Sequence, residues 1–136
     1  RKAHDNGVRI LSGSESGFAL TPYGHWHARE MQVFVEDLGL TPVEAIETAT
    51  KNGAGAMQLD DQLGTLEVGK LADLLIIDGD PIADISILND KTKINTIISR
   101  GEQVDLDSLW PSHEPIAGWK VGNWANEILT WDKAYE

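Results

Sequence analysis

Two histidines near the N-terminus, His25 and His27, have a residue type and a spacing that could serve a metal site. Side chains two residues apart on an extended strand point the same way, as a pair of metal ligands requires. Here the pair follows a Pro-Tyr-Gly turn and leads into a helical pattern, where the same spacing turns two side chains apart. The spacing therefore gives only weak support to metal binding by His25 and His27.

Three serines, at positions 12, 14 and 16, could suggest a nucleophile. A serine nucleophile of the strand–turn–helix type needs a helix directly after it, and the sequence predicts none there. A polar turn explains the Ser/Gly segment better. The chain has no cysteine, which excludes a disulfide framework, a thiolate nucleophile and thiolate metal ligands.

Composition narrows the classes of function. The 136 residues are 41% hydrophobic and 24% charged, enough for a small core. Their 11 basic and 22 acidic side chains give a formal charge of −11, which disfavours nucleic acid as a partner. No apolar run reaches the roughly 20 residues of a membrane span, and no signal-peptide pattern is present, so we expect a cytoplasmic protein without membrane contact.

The first half of the chain reads mainly as helix. Residues 1–6 predict the last turn of a helix, and residues 8–11 a short strand after Gly7. The missing initiator Met and this mid-helix start predict a piece of a longer protein. An amphipathic helix follows Trp26, because apolar side chains recur three or four residues apart, at Ala28, Met31, Phe34, Val35 and Leu38.

A capping box opens the next helix at Thr41-Pro42-Val43-Glu44. The helical spacing places Val43, Ile46 and Ala49 on its inward face, and a short third helix is predicted to run through Met57.

The period changes after residue 61. Leu66 to Val68 alternates, residues 72–78 and 94–99 are apolar strand patterns, and residues 103–105 would return as a hairpin partner. Helices with one strand, followed by strands alone, predict an α/β chain made of parts of two domains.

Four of the five tryptophans lie in the tail of residues 107–136, at Trp110, Trp119, Trp124 and Trp131. Large aromatic side chains at a chain end favour anchors that pack a terminal arm on the body or on another copy of the chain. The tail therefore predicts a homo-oligomer contact, while stacking on a ligand is the alternative.

Three segments, residues 40–52, 64–81 and 97–104, resemble in order and spacing the C-terminal part of amidohydrolase-superfamily enzymes. The imidazolonepropionase and Xaa-Pro dipeptidase-like branch is the most similar. The resemblance implies the last βα unit of a (β/α)8 TIM-type barrel in residues 1–62 and strands of a small β-sandwich in residues 63–106. Since such a barrel takes about 250 residues, it also implies a C-terminal fragment that is inactive alone.

The resemblance further implies a role for Glu15. In these enzymes the last barrel strand ends in an Asp that binds metal and takes a proton from the metal-activated water. Glu15 stands at that position, in Gly13-Ser14-Glu15 where the family usually has Gly-Thr-Asp. We therefore expect Glu15 to be both catalytic and a metal ligand, and a solvated turn carboxylate is the alternative. One or two divalent metals, zinc, would be held mainly by residues outside this chain.

Loops after barrel strands form the mouth of such an active site, so Tyr23, His25, Trp26 and His27 are expected substrate contacts. The implied activity is metal-dependent hydrolysis of a carbon–nitrogen bond in a small amide, a cyclic amide or an Xaa-Pro-like dipeptide. Two alternatives remain open. A non-catalytic amidohydrolase-like scaffold is favoured by Glu in place of Asp, and a small α/β binding module would use the Trp-rich tail.

Overall fold

The computed structural model describes residues 1–16 and 26–106. In this part of the chain, four helices precede a small antiparallel sheet, which fits the predicted α/β class. Tyr23, His25 and the Trp-rich tail of residues 107–136 lie outside the described residues. The elements are helices α1 (Lys2–Asp5), α2 (Trp26–Glu36), α3 (Pro42–Ala49) and α4 (Lys51–Ala56), strands β1 (Leu74–Ile77), β2 (Ile94–Ser99) and β3 (Glu102–Gln103), and two 3-10 helices, Ile85–Asn89 and Lys91–Lys93.

Helix α3 begins with the predicted capping box. The Glu44 amide donates to Thr41 Oγ1 at 3.3 Å, and the Thr41 amide donates to Glu44 Oε2 at 2.8 Å. The predicted inward face is wrong for Val43 and Ala49, which are exposed, while Ile46 is half-buried. The buried side chains of α3 are Ala45 and Thr48. Small residues face inward because α3 packs between α2 and α4, where short side chains allow a close approach.

Helix α2 joins the helical half to the segment that precedes β2. It packs on α3 and on the 3-10 helix Ile85–Asn89. Asn89 Nδ2 donates to Gln32 Oε1 at 2.9 Å across this second contact. Ile85, buried in the same 3-10 helix, extends the small core between the two halves. Among the residues described, no helix is both long and apolar enough to cross a membrane.

The three strands form an antiparallel sheet in the order β1-β2-β3. Leu74 pairs with Ile98, and the register shifts between Ile76 and Ile77. The β2–β3 turn is attached to the residue before β1, because the Arg100 amide donates to Asp73 Oδ1 at 2.6 Å. The apolar runs in the sequence thus predicted β1 and β2, and β3 is the expected hairpin partner, one residue earlier than predicted.

Two stretches expected to be extended form no strand. Residues 8–11 join no ladder within the described part of the chain, and a strand needs a neighbour for its backbone groups. Isolated hydrogen bonds attach this segment and the residue after it to the helices instead. Asn52 Nδ2 donates to the Ile10 carbonyl at 3.1 Å, and the Ser12 amide donates to the Thr48 carbonyl at 3.2 Å. Leu66 lies in irregular backbone and Val68 in a turn, and they are 75% and 109% exposed.

Candidate active site

The loop of residues 12–16 carries the predicted catalytic carboxylate at its tip. Glu15 is exposed, and its φ of +46° lies in the left-handed region. That region is uncommon for residues other than glycine, and aspartate enters it more readily than glutamate. The backbone conformation at this position therefore suits an Asp better than the Glu found here.

Helix α2 holds this loop through two side chains. One oxygen of Glu30, Oε2, accepts from Ser12 Oγ at 2.6 Å and from the Gly13 amide at 2.8 Å. His27 Nδ1 lies 3.1 Å from Ser14 Oγ. Residues three apart share a helix face, so His27 and Glu30 present a single polar face to the loop.

Ser14 also contacts Ser16, with 2.7 Å between their Oγ atoms. Ser14 and Ser16 therefore contact each other, and Ser12 and Ser14 contact side chains of α2, which agrees with the prediction of a polar turn rather than a nucleophile. Glu30 was missed by the sequence analysis. A signal for it exists, because a Ser/Gly turn with free amide and hydroxyl donors needs an acceptor, and a carboxylate in the following helix can supply one.

The expected substrate contacts are only partly within the described residues. Trp26 and His27 open helix α2, where Trp26 is half-buried and His27 exposed. Of these two residues, His27 contacts the loop that carries Glu15, through its hydrogen bond with Ser14. Whether His25 and His27 bind a metal, and whether all four residues line a pocket, stay predictions.

Metal binding needs several ligands that converge. Residues 1–16 and 26–106 bring no three His, Asp or Glu side chains together in a way that could hold a metal ion. Glu15 is thus at most one ligand of a site completed elsewhere, and the described residues do not fit a resident metal on their own.

A separate cleft of about 220 Å³ lies between α4 and the turn after it, with Arg9, Lys51 and Lys70 among its lining residues. Its charges are largely matched. Lys70 Nζ lies 2.6 Å from Thr65 Oγ1 and 3.3 Å from Glu67 Oε1. The hydrogen bond from the Thr65 hydroxyl lowers the pKa of Glu67 most, and the bond and charge of Lys70 lower it further. Lys51 Nζ lies 3.5 Å from Glu47 Oε1. This cleft therefore lacks the excess charge of a clear ligand site, and Glu15 does not line it.

Known proteins are similar to this chain in sequence and fold. The model of the Amidohydrolase family matches residues 1–104. Imidazolonepropionase of Desulfotalea psychrophila is 33% identical over 70 residues, which are 52% of this chain and 17% of that protein. The structure of a Xaa-Pro dipeptidase with methionine bound in its active site is 35% identical, with a TM-score of 0.69 over 76% of this chain and 24% of the other.

Molinate hydrolase is 27% identical and gives a TM-score of 0.72 over 87% of this chain and 29% of its own. The chain thus spans less than a third of the length of each of these three relatives. The family model nevertheless extends over most of the chain, from α1 to the residue after β3, and it confirms the resemblance seen in the sequence. The chain belongs to the amidohydrolase family.

Proposed function

We propose that this chain is part of a hydrolase of carbon–nitrogen bonds in which the Glu15 carboxylate transfers a proton from water to the leaving nitrogen. The observation that carries the proposal is the placement of Glu15. It is an exposed carboxylate at the tip of a loop held on helix α2, in a chain that belongs to the amidohydrolase family. A carboxylate in reach of solvent can take a proton from water and return it to a leaving group.

The reaction of this proposal is balanced by one water molecule. The water oxygen forms a bond to the carbonyl carbon while Glu15 takes one of its protons. Glu15 then gives that proton to the leaving nitrogen as the carbon–nitrogen bond breaks. The products are a carboxylic acid and an amine, and Glu15 returns to its starting ionisation state.

The substrate of our proposal is a small amide, a cyclic amide or a dipeptide. The names of the relatives, an imidazolonepropionase and a Xaa-Pro dipeptidase, support this size class. Trp26 and His27, together with Tyr23 and His25, would contact it. One or two divalent metal ions, zinc, would be bound by Glu15 and mainly by side chains outside this chain, since the described residues form no cluster of three that could hold one.

The proposal includes the architecture around the site. Residues 1–62 would close a (β/α)8 barrel, and residues 63–106 would complete a β-sandwich in a longer cytoplasmic protein. Exposed apolar side chains on β1 support such additional packing. Leu75 and Ile76 are 55% and 47% exposed. Because adjacent residues point to opposite faces of a sheet, both faces of β1 expose apolar surface. This segment alone would be inactive.

A non-catalytic scaffold is the second candidate, because Glu15 stands where the family usually has Asp. The extra methylene moves the carboxylate outward by more than about 1 Å, and a shift of that size can cost about 100-fold in rate. Glu15→Asp separates the two candidates, since it shortens the side chain and suits the left-handed backbone.

The test uses the longer protein with zinc supplied and measures formation of the hydrolysis product, a free amine or a ring-opened amino acid, from a panel of Xaa-Pro dipeptides, linear amides and cyclic amides. We expect turnover of at least one class by the wild type, and equal or greater turnover by Glu15→Asp. Absence of turnover from both proteins over the whole panel would contradict the proposal and favour the scaffold. Zinc-dependent turnover by the isolated 136 residues would contradict the claim that further residues complete the site.

A further inference from the structure

We infer that Glu30 is a positioning residue that sets the place of Glu15 by fixing the backbone two residues before it. The inference rests on the proposed function of Glu15, and it adds a residue on a different element of the fold. Glu30 lies in the second turn of α2, 15 positions from Glu15 in the sequence.

The geometry of this attachment is specific. A single carboxylate oxygen, Glu30 Oε2, accepts from the Ser12 hydroxyl at 2.6 Å and from the Gly13 amide at 2.8 Å. Hydrogen bonds to an ionised acceptor are about twice as strong as neutral ones. Because the backbone donor belongs to Gly13, the bond fixes the Ser12–Gly13 peptide plane, two residues before the left-handed conformation at Glu15.

Other bonds fix the loop on both sides of this point. The Ser12 amide donates to the Thr48 carbonyl of α3 at 3.2 Å. Ser14 Oγ lies 3.1 Å from His27 Nδ1 on the other side. Glu30 therefore acts where the loop passes from α3 to α2, and loss of its carboxylate frees two donors at once.

The matched control is Glu36, on the same helix. Its carboxylate contacts only side chains of α2 among the residues described: Gln32 Nε2 at 2.6 Å and Arg29 Nη1 at 3.9 Å. Glu30→Gln and Glu36→Gln thus remove the same charge from the same element, but only the first change touches the loop.

The experiment applies two measurements to the longer protein. Hydrogen exchange of peptides that span residues 10–16, followed by mass spectrometry, reports the loop, and steady-state kinetics on the best substrate report the reaction. For Glu30→Ala we expect exchange about tenfold faster or more and kcat about 100-fold lower with little change in KM. Glu30→Gln, which keeps one acceptor, should lie between, and Glu36→Gln should match the wild type.

Unchanged exchange at residues 10–16 in both Glu30 variants would overturn the inference, whatever the activity. Faster exchange with unchanged kcat would overturn it too, since the loop would then be free without effect on the reaction. If Glu30→Ala does not fold, Glu30→Gln decides by the same two measurements. If the wild type shows no activity but exchange is faster in the Glu30 variants, the proposed function is refuted, and the attachment of the loop by Glu30 is still supported.

Discussion

Replacement of Gly64 by alanine should strongly destabilise the chain, because this glycine lies directly against helix α4. A methyl group at Gly64 would come within 2.6 Å of Ala54 Cβ and 3.2 Å of Lys51 Cα. Ala54 is 1% exposed and Lys51 Cα belongs to the helix backbone, so neither atom can move away without repacking. The φ of Gly64, +91°, adds a conformational cost for any residue with a side chain.

The two costs can be added and separated. A left-handed backbone costs alanine roughly 1–2 kcal/mol relative to glycine, and overpacking a core contact costs roughly 1–3 kcal/mol. Gly64→Ala should therefore lower the free energy of unfolding by about 2–5 kcal/mol. Gly69 provides the control: its φ is +95°, with nothing within 4 Å of the added methyl. Gly69→Ala should show the backbone cost alone, about 1–2 kcal/mol.

Urea titration of both variants gives the two free energies of unfolding, provided the slope m stays the same. A second change, Ala54→Gly, removes the methyl group that Gly64→Ala would strike, so it should cost less in the Gly64→Ala background than in the wild type. Equal destabilisation by Gly64→Ala and Gly69→Ala would refute the reasoning, since the contact with α4 would then contribute nothing.

Three further predictions concern the cap, the sheet and acid stability. Thr41→Ala should cost about 1 kcal/mol in a urea titration, because the Glu44 amide loses its acceptor; an unchanged midpoint would contradict this. Asp73→Ala should speed hydrogen exchange of the Arg100 amide, whose bond to the Asp73 carboxylate is 2.6 Å long; unchanged exchange would show that the turn holds itself. Bonds from the Thr41 amide and hydroxyl lower the pKa of Glu44 from 4.5, so its contribution to stability is complete above pH 4.5 and is lost as the pH falls through the lowered value. Thermal melting from pH 6 to 2 should show a smaller acid loss for Glu44→Gln than for the wild type, and identical curves would contradict this.

Local patterns in the sequence predicted much of the fold. The capping box at Thr41 formed because its partners lie three residues apart, and β2 formed over the predicted residues 94–99. Packing decided what local patterns could not. The inward face of α3 is set by its packing on two neighbouring helices, which buries Ala45 and Thr48 and leaves Val43 half exposed.

The candidate site shows the same division. Glu15 could be predicted from the sequence because its position in the motif is local. The sequence offered only a general signal for Glu30, the need of the Ser/Gly turn for an acceptor. Its contacts with Ser12 and Gly13 cross 18 and 17 residues and depend on how α2 folds back onto the loop. Residues 8–11 have the composition of a strand, but pairing requires a neighbour, which the sequence of the segment itself does not specify.

The proton-transfer role of Glu15 is tested by the ratio of kcat between the wild type and Glu15→Gln in the longer protein, measured on the best amide substrate with the metal content of both proteins matched. Glutamine keeps the size of the side chain and removes its ability to take a proton. A general base contributes roughly 100- to 10,000-fold, so we expect a fall in kcat of at least about 100-fold. Equal kcat values for the two proteins would contradict a proton-transfer role for Glu15.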